Sequence, residues 1–171
     1  MNDHTLAGTL YDREAVRDVI TRYGNAIDRA DLEQMKTCFH EDAVDEHGPF
    51  SGLAWGFAES ACAPGVRHIR HHVLSTPFFV SIDERSARVS TPFYGTHIRR
   101  SDDGETDIVE EAFGRYLDRL ERREDGPWRI AHRRTILDHT REAPRSVPWI
   151  WEEHFHIGSL HPNDWVYRTD W

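Results

Sequence analysis

The chain has 171 residues, enough for one domain with a sizeable core, and its 38% hydrophobic content, with six Trp, five Tyr and eight Phe, argues against disorder. Lys and Arg total 21 against 30 Asp and Glu, and the resulting net charge of −9 disfavours nucleic acid or an anionic membrane as a partner. Apolar runs are only a few residues long, so no membrane span is expected.

The opening MNDHTLAGTL has neither the basic start nor the apolar segment of a secretory signal. Cys38 and Cys62 form no CxxC pair and no disulfide framework, so a reducing cytoplasm is the expected compartment. Asp12 is a candidate cap for a first helix whose Val16, Val19, Ile20, Tyr23 and Ile27 recur at helical spacing. Asp31 is the candidate cap of a short second helix with Leu32, Met35 and Phe39 facing inward. The acidic stretch Asp42-Ala-Val-Asp45-Glu-His47 is read as a hydrated loop that ends this helix.

From His72 the period changes. Phe78–Ile82, Ala87–Ser90, Phe93–Ile98, Ala112–Leu120 and Trp128–Leu137 are strand-like. Turn signals separate them at Asp83-Glu-Arg85, Ser101-Asp-Asp-Gly-Glu105 and Glu124-Asp-Gly-Pro127. These connections are too short for crossover helices, which predicts an antiparallel meander. Helices followed by such a meander predict an α+β domain, with the helices packed on one face of a curved antiparallel sheet.

The domain is expected to span residues 1–143. An aromatic-rich extension over 144–171 carries Trp149, Trp151, Phe155, Trp165, Tyr167 and Trp171. That apolar area needs a surface to cover, either the pocket or a neighbouring subunit.

Two segments carry the candidate chemistry. His68-Ile-Arg-His71-His72 opens a strand, and Tyr23-Gly-Asn-Ala-Ile-Asp28 ends the first helix. Histidine exchanges a proton near neutrality, and a carboxylate on its second nitrogen fixes the tautomer. A metal site built on His68, His71 and His72 is the competing reading. It is disfavoured because neighbouring side chains on an extended segment face opposite ways. No elbow motif supports a Ser or Cys nucleophile, and no Gly-rich loop follows a strand to hold a nucleotide cofactor.

These segments, with Cys38-Phe-His-Glu-Asp42-Ala-Val, His47-Gly-Pro-Phe-Ser-Gly52, His72-Val-Leu-Ser-Thr76, Gly114-Arg-Tyr116-Leu-Asp118 and Asp125-Gly-Pro-Trp128-Arg-Ile-Ala-His-Arg133-Arg134, resemble the SnoaL-like branch of the nuclear transport factor 2-like superfamily over roughly residues 10–140. The resemblance implies a cone-shaped α+β barrel. It also implies kinship with cofactor-free dehydratases and dehydrochlorinases of the scytalone dehydratase and bile acid 7-alpha-dehydratase type. There a helix-borne Asp supports a His base and a late Arg assists the leaving group. The matching positions are Asp28, His72 and Arg133, with Arg134 as the alternative Arg, and Tyr23 stands at the spacing of the bile acid enzyme's helix Tyr. Thr76 departs from the Asn that many relatives carry there.

The implied function is a cofactor-independent lyase, dehydratase-like, acting without metal on a small apolar or aromatic molecule, in a homo-oligomer (dimer or trimer). In that scheme His72 moves the proton, Asp28 holds the imidazolium, Tyr23 donates a hydrogen bond and Arg133 stabilises departing charge. Isomerisation or carbon–carbon cleavage would use the same groups. A reading from another class is a non-catalytic ligand-binding module or accessory subunit.

Overall fold

The structure, a computed structural model, describes residues 3–64, 69–145 and 154–170. Helix α1 (Asp3–Arg29) leads into α2 (Leu32–Thr37), strands β1 (Phe39–His47) and β2 (Phe50–Leu53), and α3 (Ala54–Ala61). Then come β3 (Ile69–Leu74), β4 (Phe78–Ile82), β5 (Ser86–Arg100), β6 (Asp107–Arg122) and β7 (Trp128–Pro144), and later a 3-10 turn at Trp165–Tyr167. The seven strands form one open sheet in the order β2-β1-β7-β6-β5-β3, with β4 also paired to β5. Among the described residues no helix is long and apolar enough to cross a membrane.

The α1 stripe lies where helical periodicity predicts. Val16, Val19, Ile20, Tyr23, Ala26 and Ile27 are buried in one cluster with Met35, Phe39, Phe93, Tyr116, Leu120 and Ile130. The start of α1 differs from expectation. Asp12 lies well inside the helix, where its carboxylate accepts from Arg122 Nη1 at 2.7 Å and from Trp128 Nε1 at 3.1 Å. A buried tertiary tie thus claims the carboxylate that local sequence assigns to a cap. Asp31 does cap α2, accepting from the backbone N–H of Gln34 at 3.0 Å.

The meander is present from β4 to β7, each consecutive pair being antiparallel. The sheet as a whole is mixed, because β1 joins β7 in parallel. Phe39 belongs to β1 rather than to the second helix, and the acidic stretch from Asp42 to His47 is strand, not loop. Acidic residues have low strand propensity, but here Glu41, Asp42 and Glu46 occupy positions facing away from the core. Ala43 and Asp45 alternate with them and are buried. The parallel pairing brings Asp45 opposite Arg133.

The later part of the chain ends on α1. The backbone N–H of His161 donates to the Arg29 carbonyl at 2.7 Å, and Asp164 pairs with Arg29 Nε at 3.0 Å. Asp164 also accepts from the backbone N–H groups of Ser159 and Val166. Trp165 and Tyr167 are half-buried and Phe155 is exposed, while Trp149, Trp151 and Trp171 lie outside the described residues.

Candidate active site

His72 and Asp28 are brought together by two close approaches of the backbone. Gly24 on α1 sits against Leu74 of β3 so tightly that a Cβ there would come within 2.8 Å of Leu74 Cδ1. Gly95, the register partner of His72 on β5, leaves room for the imidazole, since a Cβ would meet the ring at 3.0 Å. The imidazole is thereby held between sheet and helix end.

Asp28 Oδ1 lies 2.7 Å from His72 Nδ1, and Oδ2 accepts from the His72 backbone N–H at 3.1 Å. A carboxylate in the last turn of a helix opposes the helix dipole, so its position gains nothing for α1 alone. The paired imidazole compensates it. With Nδ1–H donated to Asp28, the neutral ring presents the Nε2 lone pair on its other edge. His97 Nε2 stands 3.3 Å from that nitrogen.

Neighbouring histidines differ in burial as strand alternation demands, although His71 Nδ1 still lies 3.8 Å from Asp28 Oδ2. The side chain of His71 is 65% exposed and that of His72 only 5%. His68 lies outside the described residues. Among the described residues no group of three or more His, Cys, Asp or Glu is arranged to hold a metal ion.

His72 borders a cavity of about 310 Å³. Ile27, Phe50 and Phe57 give it apolar wall, and Arg70, His97 and His47 add polar wall. Arg70 is 6% exposed and donates to the Ile27 carbonyl at 3.3 Å. His97, His47 and Arg70 were not singled out by sequence reasoning. His97 had a readable signal, because on β5 it shares parity with the buried Phe93.

Tyr23 and Arg133 meet each other beneath the cavity and are not among its lining residues. The Arg133 guanidinium lies 3.8 Å from the Tyr23 ring centroid and 4.1 Å from that of Tyr116. Its Nε and Nη2 donate to the two oxygens of Asp118 at 2.7 and 2.8 Å, with both side chains fully buried. Burial opposes the Arg133 charge, but Asp118 and the neighbouring Tyr23 outweigh it, and the pKa stays well above its ordinary value. Burial pushes the Tyr116 hydroxyl up to about 12, and burial reinforced by Tyr116 raises Tyr23. Both phenols therefore remain neutral hydrogen-bond donors. Arg134 points the other way, into an exposed pairing with Glu46. Burial also pushes the Cys38 thiol up to about 11, which leaves it unreactive.

The fold is shared with several solved structures. A scytalone dehydratase-like protein of Novosphingobium aromaticivorans matches with a TM-score of 0.67 at 18% identity, covering 92% of this chain and 97% of its own. The hexachlorocyclohexane dehydrochlorinase LinA-type3 of Novosphingobium barchaimii LL02 matches at 0.65 and 16% identity, covering 83% and 98%. A protein of unknown function from Mycobacterium tuberculosis matches at 0.64 and 24% identity, covering 78% and 75%. No curated protein matches the sequence. The SnoaL-like domain matches residues 8–134, and the chain therefore belongs to the SnoaL-like branch of the nuclear transport factor 2-like superfamily.

Proposed function

We propose that this protein is a cofactor-independent lyase that eliminates water, or a comparable leaving group, from a small apolar or aromatic molecule. The observation that carries the reading is the double hold of Asp28 on His72, at the backbone N–H and at Nδ1, beside a partly open cavity. In this reading His72 Nε2 removes a proton from carbon. Asp28 fixes the ring and stabilises the imidazolium, and His97 relays the proton onward. Arg133 and Tyr23 act from below the cavity as a fixed positive field and a neutral donor layer, through Tyr116. General acid–base transfer of this kind contributes about 10² to 10⁴ in rate, with positioning by the apolar walls supplying the rest.

A pure binding module has no use for an imidazole buried against a carboxylate at the cavity wall, so the pair favours an enzyme. Exposed Val44, Val80, Leu117 and Leu137 support self-association, which sedimentation velocity would test. Turnover of 5-nitrobenzisoxazole, a chromogenic probe opened by removal of one carbon-bound proton, tests the base. The wild type should open it about 100-fold faster than His72→Ala, which should keep its circular dichroism spectrum. Equal rates in a folded His72→Ala variant would overturn the reading.

A further inference from the structure

A second aspartate–histidine unit stands on β1, in the acidic stretch that the proposed reaction leaves unused. Asp45 and His47 are two apart on the strand, so both project to the inner side of the sheet. Asp45 is fully buried, and among the described residues neither of its carboxylate oxygens meets a hydrogen-bond partner. The His47 ring nitrogen Nδ1 stands 3.7 Å from Asp45 Oδ1. The buried Arg133 cation behind Asp45 offsets its charge without a hydrogen bond, which leaves the carboxylate oxygens open to a partner on the cavity side.

His47 is that partner by position. Its ring stacks on Phe57, with centroids 4.2 Å apart and planes at 16°, and its Nδ1 lies 3.1 Å from Thr135 Oγ1. Those contacts fix the ring and leave Nε2 for a molecule in the cavity, whose wall His47 forms together with His72. Behind the two imidazoles, in the core and not in the cavity wall, runs a buried aromatic pair. The rings of Phe93 and Tyr116 stack at 4.5 Å, Phe93 approaches His72 at 6.5 Å, and Tyr116 approaches His47 at 6.0 Å. A small molecule held in the cavity against Ile27, Phe50 and Phe57 meets both imidazoles in its wall.

We propose that His47 is the general acid of the reaction, delivering a proton to the leaving group, and that Asp45 is its positioning residue. The inference rests on His72 being the base. His72 Nε2 takes the carbon-bound proton, and the C–H electron pair becomes the new π bond. The bond to the leaving oxygen breaks toward oxygen, which collects a proton from His47 Nε2 and departs as water. His72 then carries the proton taken from carbon and His47 is one proton short, having given its own to the departing water, and exchange with solvent resets both. The groups facing His47 are Asp45 on its own strand, Thr135 on β7, Tyr116 on β6 and Phe57 on α3, with the buried Arg133–Asp118 pair behind Asp45. The substrate class follows from the apolar wall of Ile27, Phe50 and Phe57: a small, largely apolar or aromatic alcohol whose hydroxyl is a poor leaving group without a proton.

Two probes separate this from the role of His72. The phenolate released from 5-nitrobenzisoxazole leaves unaided, whereas that released from unsubstituted 1,2-benzisoxazole profits from protonation. His47→Gln should slow the unsubstituted probe about 100-fold and the nitro probe by less than about 3-fold. Asp45→Asn should show the same selectivity at smaller size, a pattern that a merely structural role would not produce. Equal slowing of both probes, or of neither, in folded His47→Gln and His47→Asn variants overturns the inference while leaving the role of His72 intact. If His72→Ala slows neither probe, the base assignment fails first and this inference falls with it.

Discussion

Two carboxylate–nitrogen pairs of similar geometry lie in the fold and have opposite surroundings. Asp28 and His72 sit at the rim of α1 beside the cavity, while Asp118 and Arg133 are sealed between the rings of Tyr23 and Tyr116. Both combine a carboxylate with nitrogen donors at 2.7 Å. Only the first pair leaves a nitrogen to the cavity. The contrast shows how one fold separates a structural charge pair from a chemical one. Full burial in a two-pronged hydrogen bond gives rigidity, and a pair with one edge at a cavity gives reactivity.

The largest expected effect lies on the sealed side. Arg133→Ala leaves Asp118 buried and uncompensated, so urea denaturation should report a loss of about 3–5 kcal/mol. Pairing Arg133→Met with Asp118→Leu should recover most of that stability. A stable Arg133→Ala protein lacking only turnover would erase the distinction and give Arg133 a direct chemical role. On the cavity side the expectation reverses. His72→Ala should lose about 100-fold or more in elimination rate, while its urea midpoint moves little.

How far the two sites were readable from sequence follows the same division. The α1 stripe, the Asp31 cap and the β4–β7 hairpins follow from local periodicity and turn residues; Asp28 stands on α1, and His72 on β3, where the strand-like period begins. The floor of the cone depends on β1, whose Glu41, Asp42 and Glu46 disguise a strand as a loop. Without β1 and its parallel register on β7, nothing local says that Arg133 turns inward and Arg134 outward. The same gap concealed Asp45 and His47. Asp12 misled for a related reason, since its partners Arg122 and Trp128 lie more than a hundred residues away.

A smaller effect should separate the end of α1 from its middle. Asp164→Ala removes the acceptor for Ser159 and Val166 and the partner of Arg29, one turn from Asp28. Thermal unfolding should register a loss of about 1–3 kcal/mol, because buried donors are left unmet. If residues 144–171 serve as a lid, as their aromatic content suggests, deleting 146–171 should also weaken apolar ligands or change the oligomeric state. Unchanged affinity, turnover and assembly would make that segment a passive appendage.

A pH effect on stability is expected at His40, on β1. Burial, aided by Arg123, holds the His40 pKa below its ordinary 6.5. The folded state therefore binds fewer protons than the unfolded chain, so this contribution is fully present above about pH 6.5 and is lost as pH falls through the folded value. His40→Gln should flatten the stability profile in that window. An unchanged profile would place its cause elsewhere. The smallest effect expected is none: exhaustive chelation should leave elimination unaltered, whereas loss with recovery on adding a divalent ion would recruit His71 and His72 as ligands.

The most direct test of the central claim is a double-mutant cycle on kcat/KM for 5-nitrobenzisoxazole with His72→Ala, Asp28→Asn and the two combined. Groups acting as one unit are strongly non-additive. The double variant should therefore be no slower than His72→Ala alone. Losses that multiply across the cycle would show that Asp28 and His72 contribute independently, and would contradict the assignment of Asp28 as the support of a His72 base.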